Sequence, residues 1–262
     1  MHAPTLASET IAHIGSFDLR NTILMAWITM TFLICIAGFV RFRGHKLVPG
    51  RLQSLLEIVL EGLFNLIDSV MQDRKMTRKI FPIIATFFLF IIIANWLGII
   101  PGVGSITVKA MHEGEIVHVP LLRSMNSDVN VTLAFTMISV IATQVFGLMT
   151  VGFFSHFGKY CVPPWKEPYG VGTFVGILEF VGEFARLTSF VFRLFGNIFA
   201  GEVLLVVVSF LAPYILPIPF LGLEIFVGFI QALVFSLLTV AFIKMAVTAH
   251  GDHGDVHAPA HS

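Results

Sequence analysis

The sequence predicts an all-α polytopic membrane protein, with about five membrane-embedded helices and one amphipathic surface helix, the last two membrane helices forming a long tilted hairpin. Three observations predict it. Apolar residues make up 56% of the 262 and charged residues 12%, with 27 phenylalanines, more apolar surface than a water-soluble domain can cover. Apolar stretches at 22–42, 79–100 and 128–154 reach the roughly 20 residues needed to cross a bilayer. A longer one, 170–249, is nearly continuous apolar helix former except at Pro213, Pro217 and Pro219, which cannot remain within one straight helix.

The elements follow in order within a single membrane domain, 1–262. Residues 1–20 carry His2, Glu9, His13 and Asp18 and lack the basic start and apolar core of a cleaved signal. They are expected as an outer segment, leaving the helix at 22–42 to direct insertion. In 51–72, Leu52, Leu55, Leu56, Val59, Leu63, Ile67 and Val70 recur at helical spacing, opposite Glu57, Glu61, Asn65, Asp68 and Gln72. That pattern is a helix lying along a surface, and its acidic stripe favours protein over anionic lipid as neighbour; a solvated face explains the stripe equally well. Membrane helices follow at 79–100 and 128–154, separated by an outer loop, 101–127, at whose end Asp128 is placed to cap the next helix. The helix at 170–212 would be roughly 60 Å long at about 1.5 Å per residue, twice the ~30 Å hydrocarbon core, so it must tilt or bend. The return helix is 219–249.

Charge orients these spans. Arg41, Arg43, Lys46, Arg51, Arg74, Lys75, Arg78, Lys79, Lys159, Lys166 and Lys244 fall on one side, and Arg20, Lys109 and Arg123 on the other. Positive-inside places the amino terminus outside and the carboxyl terminus in the cytoplasm. The tail 250–262 holds His250, His253, His257 and His261 with Asp252 and Asp255. These are metal-binding residue types, but polar chain ends commonly lack fixed structure, so no metal or cofactor is expected. Formal net charge is zero and there is no basic arm with interleaved aromatics, which argues against nucleic acid. Cys35 and Cys161 make no disulfide framework. No P-loop or Gly-rich nucleotide turn occurs.

The most informative residue is Arg193, a guanidinium that cannot lose its proton, set in an apolar helix where it costs at least about 2.5–3.5 kcal/mol at the bilayer centre. It must face protein or trapped water. At about 100° per residue, Arg186, Ser189, Arg193 and Asn197 share a face, Glu179 falls near it, and Glu202 lies nearly opposite. Glu224 and Gln231 share a face of the return helix, which the antiparallel hairpin carries back past the first. A line of ionisable and hydrogen-bonding groups interrupted by a fixed cation suits an ion path. Polar residues holding a bundle together account for the Ser, Asn and Gln positions, but poorly for Glu179, Glu202 and Glu224.

The run Arg-Leu-Phe-Gly-Asn-Ile-Phe-Ala-Gly-Glu at 193–202 resembles the signature of subunit a of F-type ATP synthase. Leu-Val-Pro-Gly-Arg-Leu-Gln at 47–53, Asn-Trp-Leu-Gly-Ile-Ile-Pro-Gly at 95–102, Ser-Asp-Val-Asn-Val-Thr at 127–132 and Gln-Ala-Leu-Val-Phe at 231–235 resemble further family segments in the right order, over roughly residues 20–249. The resemblance implies a stator subunit that passes protons, or Na⁺, through two offset half-channels and turns a ring of c subunits, with the b-subunit stalk and other ATP synthase subunits as partners and ATP chemistry elsewhere. It implies that Arg193 faces the c-subunit carboxylate with Asn197 and Gln231 beside it. Glu202 and Glu224 would serve the outer half-channel, and Ser189, Glu179 and Arg186 the cytoplasmic one. Gly98 departs from relatives with Asp there, which shifts the outer path onto Glu202, Glu224, Asp128 and water. Glu183 receives no role. The retained surface helix and His-rich tail resemble bacterial members, implying the inner membrane. A secondary transporter would show duplicated halves, and no second copy of the Arg193 segment occurs; an intramembrane metalloenzyme would need a motif such as His-Glu-x-x-His, which is missing.

Overall fold

A computed structural model describes residues 10–14, 17–43, 50–100, 103, 106–112, 115–152 and 171–248. The Leu47 end of the Leu-Val-Pro-Gly motif, Cys161, Lys46, Lys159, Lys166, much of the outer amino-terminal segment and the His-rich tail lie outside the described residues.

Among the described residues six helices carry the fold: α1 (Asn21–Arg43), α2 (Arg51–Met71), α3 (Arg74–Ile99), α4 (Val129–Val151), α5 (Val171–Leu211) and α6 (Pro217–Thr248). Five of them, all except α2, are long and apolar enough to cross a membrane. The chain is thus an all-α multi-pass membrane protein.

The bundle is built around α6, which touches α2, α3, α4 and α5. Phe235 is its central wedge, 1% exposed, with edge-to-face contacts to Phe87 of α3 at 5.6 Å and Phe190 of α5 at 5.0 Å. Such pairs add about 0.5–1.5 kcal/mol each beyond area burial. Lipid tails are as apolar as Leu, so helix association in a membrane depends on packing and interhelical hydrogen bonds. Both are present. Ser139 and Thr239 hydroxyls meet at 2.8 Å between α4 and α6, and Asn95 of α3 donates to the Gly228 carbonyl of α6 at 3.0 Å. By contrast α1 joins the bundle mainly near its start, through Met25, and turns Trp27, Phe32, Ile34 and Phe42 outward.

At one end α2 buries Leu63, Ile67 and Met71 and exposes Glu57, Glu61 and Asn65. It ends at Gln72, whose φ of 59° is left-handed, and the Lys244 ammonium of α6 donates to the Val70 carbonyl at 2.8 Å. A cation at a helix C-terminus satisfies orphan carbonyls and complements the dipole. Asp73 then caps α3, accepting from the Lys75 and Met76 amides.

At the other end are two antiparallel hairpins that hydropathy does not reveal: β1 (Thr10–Ile14) with β2 (Phe17–Arg20), and β3 (Thr107–His112) with β4 (Glu115–Pro120). β1 and β3 touch. Thr107, Val108, Ile116, Val117 and Val119 are β-branched residues that favour a pleated strand, so part of the expected outer loop is a ribbon. After β4 the chain folds back into a 3-10 turn, Met125–Ser127, wedged among α1, α3, α4 and α5.

This wedge explains Gly98. A Cβ there would lie 2.7 Å from Ser124 Cβ and 3.2 Å from Ser124 Cα, so the turn and α3 meet only because position 98 has no side chain. Gly98→Ala or Gly98→Asp is therefore expected to destabilise the protein by about 1–3 kcal/mol, the usual range for overpacking. Gly62→Ala, where nothing lies within 4 Å, should be neutral or better. Melting temperatures of the purified membrane sector in detergent check this; an unchanged Tm for Gly98→Ala would contradict the contact.

Candidate functional site

The long helix α5 holds most of the candidate residues. Its buried residues Phe190, Val191, Leu194, Phe195 and Ile198 form the stripe that docks on the bundle. Ser189, Arg193 and Asn197 stay exposed beside that stripe, as the helical spacing expects. Among the described residues, Arg193 has one polar partner: its Nη2 donates to Ser189 Oγ at 3.2 Å. No carboxylate of the described residues pairs with it. Phe192, next to it, is 61% exposed. The guanidinium thus stands exposed on a membrane helix beside Ser189 and Asn197, where a charge is costly in hydrocarbon.

The hairpin brings α6 alongside. Asn197 Nδ2 donates to Gln231 Oε1 at 3.2 Å, and Gln231 is buried with its Nε2 lacking a partner. Further along, the Glu224 carboxylate rests against Gly201, where an added Cβ would fall 2.7 Å from Oε1. Glu224 Oε2 is buried without a partner. Orphaned buried polar atoms are costly and mark places where water or a proton is accommodated.

Two ion pairs flank Arg193 along α5. Towards the α2 end, Arg186 lies 3.5 Å from Glu183 Oε1 and 5.0 Å above the Phe242 ring, while Gln144 of α4 donates to the same oxygen at 3.0 Å. Arg186 is therefore engaged with the bundle, and Glu183, to which the sequence assigns nothing, is its counter-ion. Glu179, half-buried, also has an interaction partner. Towards the hairpin end, Arg123 forks onto Glu202: Nε approaches Oε1 at 3.1 Å and Oε2 at 3.2 Å, and Nη2 approaches Oε2 at 3.1 Å. Glu202 is thus paired within the chain, by a residue 79 positions away.

Asp128 is placed near the Arg123 turn but is engaged locally. It caps α4, accepting from the Asn130 amide at 2.9 Å, and takes a 3.1 Å hydrogen bond from Thr22 of α1. Beside it, Asn126 donates to Asn95 at 2.7 Å. Sequence reasoning missed Arg123, Gln144 and the Asn95 and Asn126 bridge. Arg123 carried one signal, a lone cation between the apolar run ending at Leu122 and the cap at Asp128. Among the described residues no group of histidine, cysteine or carboxylate side chains is arranged to hold a metal.

A family model for the ATP synthase A chain matches residues 23–244. The chain belongs to that family. It is 35% identical to ATP synthase subunit a of Gloeobacter violaceus over 238 residues, covering 89% of this chain and 86% of that one. It is 32% identical to that of Desulforamulus reducens (89% and 81%) and 31% to that of Syntrophobacter fumaroxidans (91% and 89%). It is therefore a membrane subunit of the rotary ATP synthase, part of the proton-translocating F0 sector together with other subunits, and not the catalytic subunit.

The Gly201 contact yields a test within that sector. Gly201→Ala would force the Glu224 carboxylate to shift, and because that carboxylate ends a flexible side chain, the protein is expected to assemble normally. Passive proton conductance of vesicles stripped of the catalytic head should fall several-fold. Wild-type conductance would mean that the position of Glu224 is immaterial.

Proposed function

We propose that this subunit is the stator half of the ion-driven motor. It offers two half-channels from opposite faces of the membrane and sets Arg193 between them, against a carboxylate on each passing c subunit. The observation that carries the reading is the exposed Arg193, which among the described residues has only a serine hydroxyl for company. A membrane-embedded cation requires an anionic or aqueous environment, and here that environment must be supplied from outside the chain. A ring of small subunits with a midplane carboxylate fits that face. The b-subunit stalk belongs to the same stator.

The half-channel at the hairpin end is lined by Glu202, Glu224 and, towards the turn, Asp128, and it leads to Asn197 and Gln231. The half-channel at the α2 end passes Glu179, Ser189 and the neighbourhood of Arg186. Positive-inside assigns the hairpin end to the outer face of a bacterial inner membrane and the α2 end to the cytoplasm. A proton entering from outside neutralises a c-subunit carboxylate, which can then move into lipid without the desolvation penalty of a charge. A protonated carboxylate returning from the other side loses its proton to the cytoplasmic path, because the nearby guanidinium favours the ionised form. Each proton contributes about 2.3 kcal/mol per 100 mV. Na⁺ would follow the same route if the c-subunit carboxylate selects it.

Arg193→Ala should leave assembly intact and reduce coupled ATP synthesis to background, and Arg193→Lys should do the same, because an ammonium is a compact charge that shifts its pKa when desolvated. ATP-driven pumping in reconstituted vesicles is the measurement. Normal pumping by an assembled Arg193→Ala complex would sink the proposal.

Access from opposite faces is separately testable. With Ser189→Cys or Glu224→Cys in a cysteine-free background, a membrane-impermeant thiol reagent is expected to label position 224 only from outside and position 189 only from inside. Labelling of both from one face would mean a continuous pore.

A further inference from the structure

We propose that the crevice between α1 and α4 is a binding site for one acyl chain of a membrane glycerophospholipid, with the lipid phosphate at the Arg20 and Asn130 end. The crevice has a volume of about 520 Å³, and its apolar walls include Ile23 and Ala26 of α1, Phe90 of α3, and Ala134, Phe135 and Ile138 of α4. It exists because α1 is held at one end only. The Thr22 hydroxyl donates to Asp128 at 3.1 Å and Met25 packs with Met125, whereas the next residues turn Trp27, Ile28 and Met30 outward.

The shape and lining select the occupant. An empty crevice forfeits the dispersion contacts of its walls, and water gains little from apolar side chains. A helix is about 10–12 Å across with a pitch of about 5.4 Å, so a single turn of it would use up the volume. A thin, flexible hydrocarbon chain fits instead, and the size lies within the roughly 300–1,000 Å³ of ordinary ligand sites.

The polar end suits a phosphate. Both helices begin there, α1 at Asn21 and α4 at Val129, so two positive dipole ends lie beside the partly exposed Arg20. Arg20 has another contact within the chain, but a guanidinium carries five donors and can share them with a phosphate. The exposed Asn130 donates from Nδ2 to Asp128 at 3.1 Å and has a second N–H to offer. Asp128 is the opposing charge at this end; it is 4% exposed and already accepts from Thr22, the Asn130 amide and Asn130 Nδ2. Basic pockets between membrane helices are recognised places for lipid headgroups.

The inference does not depend on the half-channel reading, and its test leaves conductance aside. The whole complex is reconstituted with phosphatidylglycerol carrying a diazirine in its acyl chain, extracted into detergent so that only retained lipid remains, and then illuminated. Mass spectrometry reads the label residue by residue. Label at Ala26 and Ala134 should exceed at least fivefold that at Ile34 and Ile141, exposed on the same two helices and outside the crevice. Ala134→Trp, which fills the crevice, should lower the label at Ala26 at least fivefold, and Ile141→Trp should leave it unchanged. If Ala134→Trp does not assemble with the c subunit, Ala26→Leu narrows the opposite wall, read at Ala134. Arg20→Gln should lower retention at least twofold and Arg20→Lys less. Uniform label along α1 and α4, or undiminished label in the filled variant, overturns the site; undiminished label in Arg20→Gln overturns the headgroup contact. In a cysteine-free background, a photoactivatable thiol reagent on Ala134→Cys should capture lipid, and capture of another subunit's membrane helix in most molecules would overturn the proposal.

Discussion

A cation that cannot be neutralised, held on an apolar helix, constrains everything around it. Arg193 can neither lose its charge nor sit in hydrocarbon without penalty, and α5 buries one stripe against the bundle while the stripe beside it, with Ser189, Arg193 and Asn197, stays exposed. The two other arginines described near α5, Arg186 and Arg123, each pair with a carboxylate inside the chain. Arg193 alone of the three has only a hydroxyl. The contrast is chemical: two guanidiniums are matched within the subunit, and on the proposed reading the third is left for a charge that arrives and departs. A permanent internal partner at Arg193 would compete with that visitor.

The arrangement depends on close backbone approach at sites without a side chain. Gly98 admits the Ser124 turn, Gly228 admits Asn95, and Gly201 admits the Glu224 carboxylate. Small residues at helix contacts let backbones and polar groups meet where the hydrophobic effect gives no selectivity. The bonds made there, Asn95 to Gly228 and Trp96 to the Ile225 carbonyl at 3.1 Å, cross from α3 to α6. They fix the return helix at the level where Glu224 and Gln231 face α5. Packing and the polar site are therefore one construction.

Much of this is legible in the sequence, for identifiable reasons. Span length and the proline break report the membrane helices because bilayer thickness imposes a length on any crossing segment. The amphipathic stripe of α2 and the shared face of Ser189, Arg193 and Asn197 follow from helical period alone. Asp128 is recognisable as a cap because capping is local. What escapes is long-range or short-period. Arg123 and Glu202 are 79 residues apart, and a helical wheel holds no information about a turn that folds back from another segment. The pairing of Arg186 with Glu183 and its seat over the Phe242 ring are likewise beyond a helical wheel, because the ring comes from another helix. The β-hairpins are short, and their alternation is weak beside the hydropathy of the spans.

The ion pairs also make the two ends of α5 unlike. At the α2 end, Glu183 and Arg186 are joined by Gln144 and an aromatic face, all from helices of the bundle. At the hairpin end the counter-charge for Glu202 comes from a connecting turn, while the neighbouring Glu224 keeps a buried oxygen without a partner. The only one of these carboxylates with such an orphaned oxygen is thus on the hairpin side of Arg193. If protons enter there, the asymmetry has a physical use. A group with a spare oxygen can accept a proton from a dilute supply, whereas on the proposed exit side the guanidinium would drive release by favouring the ionised carboxylate.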